Sequence, residues 1–133
     1  ILRSARAFGV AAVITTSRNA AEEGGALARA ACGSLDDLPY LRVPNLARAI
    51  ETLQKDQIYI AGLTSDGKMT VSDLAEIERL AIVLGAEGSG LRRLSRNHCD
   101  QLVRIDINNH SDSLNVSNAA AIALYAATLR QRS

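Results

Sequence analysis

Short apolar runs at Ala11–Thr15, Tyr40–Val43, Ile58–Gly62, Ala81–Leu84 and Leu102–Ile105 are separated by longer amphipathic or alanine-rich stretches. That alternation is the signature of strands interleaved with helices, and it predicts an α/β chain with a mainly parallel sheet. Asn45–Lys55 carries Leu46, Ala49, Ile50 and Leu53 at helical spacing with Pro44 just outside its start, so a surface helix is expected there. The last helix is expected from about Asn115 to Gln131, with Val116, Ala120, Ala123, Leu124 and Ala127 on one side. Its other side carries Ala119, Ile122 and Ala126, which is too apolar for a solvated face, and a partner subunit would bury it. Thr16–Ser34 is rich in small residues and reads as a loop entering a short helix around Ala26–Ala31. The segments Thr64–Lys68 and Gly85–Gly90 each follow a strand directly, and in open α/β sheets ligands bind where loops leave the carboxyl ends of strands.

With 133 residues, 47% of them hydrophobic, the chain suits one globular domain. Its longest apolar runs, Phe8–Ile14 and Ala119–Ala127, fall well short of the roughly 18 residues that suggest a membrane span, so a soluble, cytoplasmic protein is expected. Cys32 and Cys99 match no zinc spacing and read as buried thiols. A net charge of +1 gives no simple argument for nucleic-acid binding. The cations are nearly all arginine, Lys55 and Lys68 being the exceptions. That bias suits phosphate recognition and equally suits a GC-rich genome. The chain opens on Ile1, and the expectation is that it starts inside a longer protein.

Three segments can carry chemistry. Ala81-Ile-Val-Leu-Gly-Ala-Glu-Gly-Ser-Gly90 runs a strand into glycines grouped around Glu87, which allows a tight turn and close approach of backbone to a ligand. It lacks the following helix of a dinucleotide fingerprint and the Gly-Lys-Ser/Thr ending of a phosphate loop, so a ligand loop and an ordinary turn both stay open. Next, Arg92, Arg93 and Arg96 can hold a phosphate backbone or form a solvated charged surface. His98 has no second histidine or cysteine pair near it, and a structural role is expected in place of metal ligation. Finally, Asp106–Ser117 precedes the last helix, where Ser113 or Asn115 can cap the helix and spare amides can meet a carboxylate or a developing oxyanion. His110, Ser111 and Asp112 are adjacent in the chain without a nucleophile elbow, which argues against a hydrolase triad.

In order and spacing, Ile1-Leu-Arg-Ser-Ala-Arg-Ala-Phe-Gly9, Ile82-Val-Leu-Gly-Ala-Glu-Gly-Ser-Gly90 and Ser113-Leu-Asn-Val-Ser117 resemble the motifs of the SpoU/TrmH family of RNA ribose 2′-O-methyltransferases in the SPOUT superfamily. Ala31-Cys-Gly-Ser-Leu-Asp-Asp-Leu-Pro39 and Asn45-Leu-Ala-Arg48 look like the subgroup that methylates guanosine in 23S ribosomal RNA. Two departures stand out: Asp106-Ile-Asn-Asn109 replaces the family's Pro-Met-x-Gly, and the asparagine of its first motif would precede residue 1.

The resemblance implies a parallel sheet flanked by helices with a C-terminal deep trefoil knot. Residues 1–133 would then form the catalytic domain, lacking its extreme N-terminal portion and any upstream RNA-binding domain. It implies transfer of a methyl group from S-adenosylmethionine to a ribose of large-subunit ribosomal RNA, with a tRNA methyltransferase or a silent RNA-binding homodimer as alternatives. By resemblance, Arg3, Glu87, Ser113 and Asn115 are catalytic, and Thr64, Gly85, Glu87, Gly90, Ile105, Ile107 and Leu114 bind the cofactor. Arg3 by resemblance, and Arg92, Arg93 and Arg96 from their place beside the glycine-rich turn, are expected to face RNA, and no metal is expected. A homodimer through the terminal helices would assemble each site from both subunits.

Overall fold

The computed structural model describes residues 1–16, 38–86, 90–108 and 114–132, with 130–132 as backbone only. Along the chain come helix α1 (Leu2–Ala7), strands β1 (Val13–Thr16) and β2 (Tyr40–Val43), helix α2 (Leu46–Lys55), and strands β3 (Tyr59–Leu63) and β4 (Met69–Thr70). A 3-10 helix over Val71–Glu76 follows, then β5 (Leu80–Val83), α3 (Arg93–His98), β6 (Gln101–Arg104) and α4 (Val116–Arg132).

Successive side chains of a strand point to opposite faces, and β3 is apolar on both: Ile60 enters one core cluster and Ala61 another. It therefore needs cover on both sides and sits inside the sheet, paired in parallel with β5 on one edge and β6 on the other. β4 adds beyond β6, also in parallel, giving the order β4-β6-β3-β5. β1 and β2 form a separate parallel pair.

One face of the larger sheet is covered by α4 and the 3-10 helix, through Val71, Leu74, Ala123 and Ala126 against Ala61 and Val103. The other is covered by α2, whose Ile50 meets Ile60 and Val83 with Leu46 and Leu53 alongside. Ile50, Ile60, Leu74 and Val103 are almost wholly buried, and each such side chain contributes on the order of 2 kcal/mol by leaving water. A third cluster joins Leu2 and Ala5 of α1 to Leu38, with Val13, Tyr40 and Leu124 around it. Gly62 makes room for the end of α3, since a Cβ there would lie 2.7 Å from Cys99 Sγ and 2.9 Å from Leu102 Cδ2.

The strands lie within two residues of their expected bounds, and α2 begins one residue after the expected Asn45, which caps it, its Oδ1 accepting from Arg48 N at 3.1 Å. The short β4, α3 and the 3-10 helix carry too few residues to show a period. The faces of α4 need correction. Ala126, expected outward, is buried with Ala120 and Ala123, because it lies one turn from Ala123 on the same face. The outward stripe is Ile122, Tyr125 and Leu129, exposed by 40%, 47% and 42%. Among the described residues, no helix is long and apolar enough to cross a membrane.

Candidate functional site

Parallel pairing puts the carboxyl ends of β3, β5 and β6 on one edge of the sheet, and the loops that leave them enclose a cleft of about 800 Å³. One wall is Leu63–Asp66, the facing one Leu84–Ala86 with Gly90 and Leu91; Ile105, Ile107 and Leu114 add apolar surface, and the first turn of α4 closes it.

The second wall depends on glycine at two points. A Cβ on Gly85 would fall against Gly90 C and Leu91 N, and 2.6 Å from Gly90 O, while Gly90 has φ +69. Ala86 N donates to Gly90 O at 3.2 Å and Gly90 N to Ala86 O at 2.9 Å, which closes the neck of this loop.

The first wall is fixed by polar contacts. Thr64 N donates to Val103 O at 2.9 Å, and Thr64 Oγ1 donates to Asp66 Oδ1 at 2.7 Å. From α3, Arg96 Nη2 donates to Asp66 Oδ2 at 2.8 Å, and Nη1 reaches both Asp66 Oδ1 and Thr64 Oγ1 at 3.2 Å. Arg96 first, and the Thr64 hydroxyl second, hold the Asp66 carboxyl well below the usual carboxylate range. Behind the loop, Arg104 Nη1 donates to Gly67 O at 2.8 Å and Lys68 O at 3.0 Å, and its Nε donates to Asp106 Oδ1 at 2.9 Å.

At the end of the cleft, Asn115 Oδ1 accepts from Ser117 N at 2.7 Å and Asn118 N at 3.3 Å, so the side chain caps α4 while lining the cleft. The cap commits its oxygen and leaves the side-chain N–H groups to offer a ligand.

Of the residues expected from sequence, Thr64, Gly85, Gly90, Ile105, Ile107, Leu114 and Asn115 all line this one cleft. Arg96 lines it too, but its guanidinium is engaged by Asp66 and Thr64 and does not stand with Arg92 and Arg93, which are exposed. Arg3 is exposed on α1 and is not among the lining residues. Glu87, Ser113, His110, Ser111, Asp112 and Cys32 lie outside the described residues, as does the helix expected around Ala26–Ala31. His98 joins two helices, with Nδ1 2.8 Å from Leu94 O and Nε2 3.1 Å from Glu51 Oε1, and these contacts raise its pKa. Cys99 is partly buried, its Sγ donates to Ser95 O at 3.1 Å, and burial pushes the thiol up. The described residues contain no group of three His, Cys, Asp or Glu able to hold a metal ion. Sequence reasoning missed Asp66: its polar loop after a strand was a signal, but its partner stands 30 positions away.

A cleft of this size, with branched apolar walls, glycine backbone and a few polar groups at its ends, has the character of a site for a nucleoside-sized ligand.

Comparison with known proteins agrees with that character. The profile of the SpoU rRNA Methylase family matches residues 1–125. The 23S rRNA (guanosine-2′-O-)-methyltransferase RlmB of Escherichia coli (strain K12) is 44% identical over 132 residues, which are 99% of this chain and 54% of that protein. Among solved structures, the SpoU methyltransferase AviRb from Streptomyces viridochromogenes in complex with the cofactor AdoMet superposes with a TM-score of 0.88 at 31% identity, covering 99% of this chain and 54% of that one. The A. aeolicus TrmH/SpoU tRNA modifying enzyme shares the fold, with a TM-score of 0.83 at 20% identity over 98% of this chain and 66% of that one. The chain spans about half the length of the curated relatives it matches.

Proposed function

Because the chain belongs to the SpoU rRNA Methylase family, we propose that it is the catalytic domain of an enzyme that methylates a ribose 2′-hydroxyl of 23S-type ribosomal RNA. The observation that carries this reading is the convergence of Thr64, Gly85, Gly90, Ile105, Ile107 and Leu114, far apart in sequence, on one cleft at the carboxyl edge of the sheet. The ribosomal acceptor rests on the 44% identity to a 23S rRNA enzyme, since a tRNA modifying enzyme has the same fold. A C-terminal trefoil knot belongs to this reading. It is supported by β6, late in the chain, lying between β3 and β4, which precede it.

The cleft fits S-adenosylmethionine in size and lining, and Glu87 would join the residues that hold it. When bound, that cofactor supplies a methyl group on a positively charged sulfur already activated for displacement. The chain's own task is alignment and the removal of one proton. Arg3 orients the ribose hydroxyl and stabilises the alkoxide that develops on it, because a guanidinium holds its proton too tightly to serve readily as a base. Asn115 contributes its side-chain N–H groups at the cleft end, and Glu87 and Ser113 organise the same loops. Arg92 and Arg93, exposed beside the cleft, contact RNA phosphates.

Arg3 lies on α1, which packs against α4 with Phe8 and Tyr125 rings 5.9 Å apart. The exposed stripe Ile122, Tyr125 and Leu129 runs along the same helix. A homodimer formed there buries the stripe and brings Arg3 of one subunit to the cleft of the other. Sedimentation of the full-length protein at micromolar concentration should give twice the chain mass; a monomer defeats the dimer.

The deciding experiment incubates the full-length protein with radiolabelled S-adenosylmethionine and, separately, ribosomal RNA and tRNA, then maps ribose methylation. Label in the large-subunit RNA is expected. Label confined to tRNA would replace the acceptor, and RNA binding without transfer to any RNA would leave a silent binding protein and overturn the enzymatic reading.

A further inference from the structure

We propose that Arg96 is a positioning residue for the cofactor, holding the two walls of the cleft at the spacing a nucleoside requires through its forked contact to Asp66. This rests on reading the cleft as the S-adenosylmethionine site. The wall Thr64–Asp66 is anchored from behind twice, by Thr64 N on Val103 O and by Arg104 on the carbonyls of Gly67 and Lys68. Both anchors tie it to β6; pairing of β3 with β5, Gly62 opposite Val83, sets the two walls at their base and leaves the spacing of the loops beyond it unset. Among the described residues, Arg96 is the side chain that bridges the gap: it stands on α3, the element that follows Gly90 and Leu91, and grips Asp66 and Thr64 on the other side. A Cβ on Gly85 would strike Gly90 and Leu91, and the paired backbone bonds between Ala86 and Gly90 close the second wall upon itself. Freedom in the cleft's width then resides in the tie between the walls.

Geometry, more than charge, gives the tie its effect. The Arg96 side chain is 33% exposed and that of Asp66 63%, and a simple ion pair so exposed contributes little to stability. A planar fork on a carboxylate, with a third contact to a hydroxyl, fixes an orientation that a lysine ammonium cannot copy. Thr64 Oγ1, donating to Asp66 and accepting from Arg96, is held in one direction by the same network.

The test is a double-mutant cycle on the full-length protein, read by calorimetric titration with S-adenosylhomocysteine, with a melting curve beside each titration. Arg96→Ala and Asp66→Ala should each weaken binding about tenfold, equivalent to ~1.4 kcal/mol. The double variant should be no weaker than either single. Arg96→Lys should recover little, and in turnover the KM for the cofactor should rise more than kcat falls. Full recovery by lysine, independent additive losses, or a melting temperature that falls in step with affinity would each overturn the positioning role. Wild-type binding retained in Arg96→Ala overturns this inference alone, whereas a wild-type protein that binds no S-adenosylhomocysteine overturns the cofactor reading and the inference together.

Discussion

The four-stranded sheet and the N-terminal unit of α1, β1 and β2 carry different halves of the expected chemistry. At the edge of the larger sheet, every described residue expected to bind cofactor meets in one cleft. On the smaller unit, the expected catalytic Arg3 is exposed and lies outside that lining. On the proposed reading, binding can be complete within one chain while the chemistry calls on RNA and a second copy. Substitutions in the two regions should fail in different ways.

The largest effect should come from Arg3→Ala, which removes one transition-state partner: methyl transfer should fall at least ~100-fold, or ~2.7 kcal/mol. Cofactor affinity by calorimetry should stay within a few-fold, and a parallel loss of affinity would erase the division between the regions. Gly85→Ala should show the reverse pattern. Its Cβ would meet Gly90 and Leu91, and overpacking of this kind costs roughly 1–3 kcal/mol, so affinity and melting temperature should drop together. A variant with unchanged affinity would place the neck outside the binding site. Asn115→Ala sharpens the comparison, because this residue both caps α4 and lines the cleft. Losing the cap should cost ~1 kcal/mol of stability. Asn115→Asp should restore the cap without restoring transfer, as measured by melting curves and single-turnover assays.

His98 gives the smallest effect and lies outside the cleft lining. The Leu94 carbonyl, and then Glu51, favour its charged ring and raise its pKa above the ordinary value of about 6.5. The resulting stability is fully present below the unfolded value and lost as pH rises through the raised folded value. The difference in melting temperature between wild type and His98→Gln should accordingly narrow from about pH 6 to pH 8, with cofactor affinity the same in both. A difference independent of pH would assign the contact to packing.

Much of the larger region was legible because its strands are apolar at successive positions and its longer helices announce their starts, Pro44 ahead of α2 and the cap Asn115 for α4. Those signals are local, whereas the strand order β4-β6-β3-β5 is set by long-range pairing that no window of sequence contains. Arg96 illustrates the same limit at the site. Beside Arg92 and Arg93 it reads as one more phosphate contact, and its commitment to Asp66 emerges once β3 and α3 are brought together. On α4, periodicity found two apolar faces but assigned Ala126 to the wrong one, because alanine is too small to distinguish a packed face from an outward one.

The first turn of α4 closes the cleft, so its lining runs from Leu63 to Ala119 and takes nothing from α1, β1, β2 or α2. A polypeptide emerging from the ribosome has no finished cleft until that turn has been made and has docked. Ligand and unfolded chain then have nothing to offer each other, and by mass action a ligand at a hundred times its dissociation constant adds about 2.7 kcal/mol to the finished state. A filled cleft would thus favour the state in which the last helix is docked against the sheet.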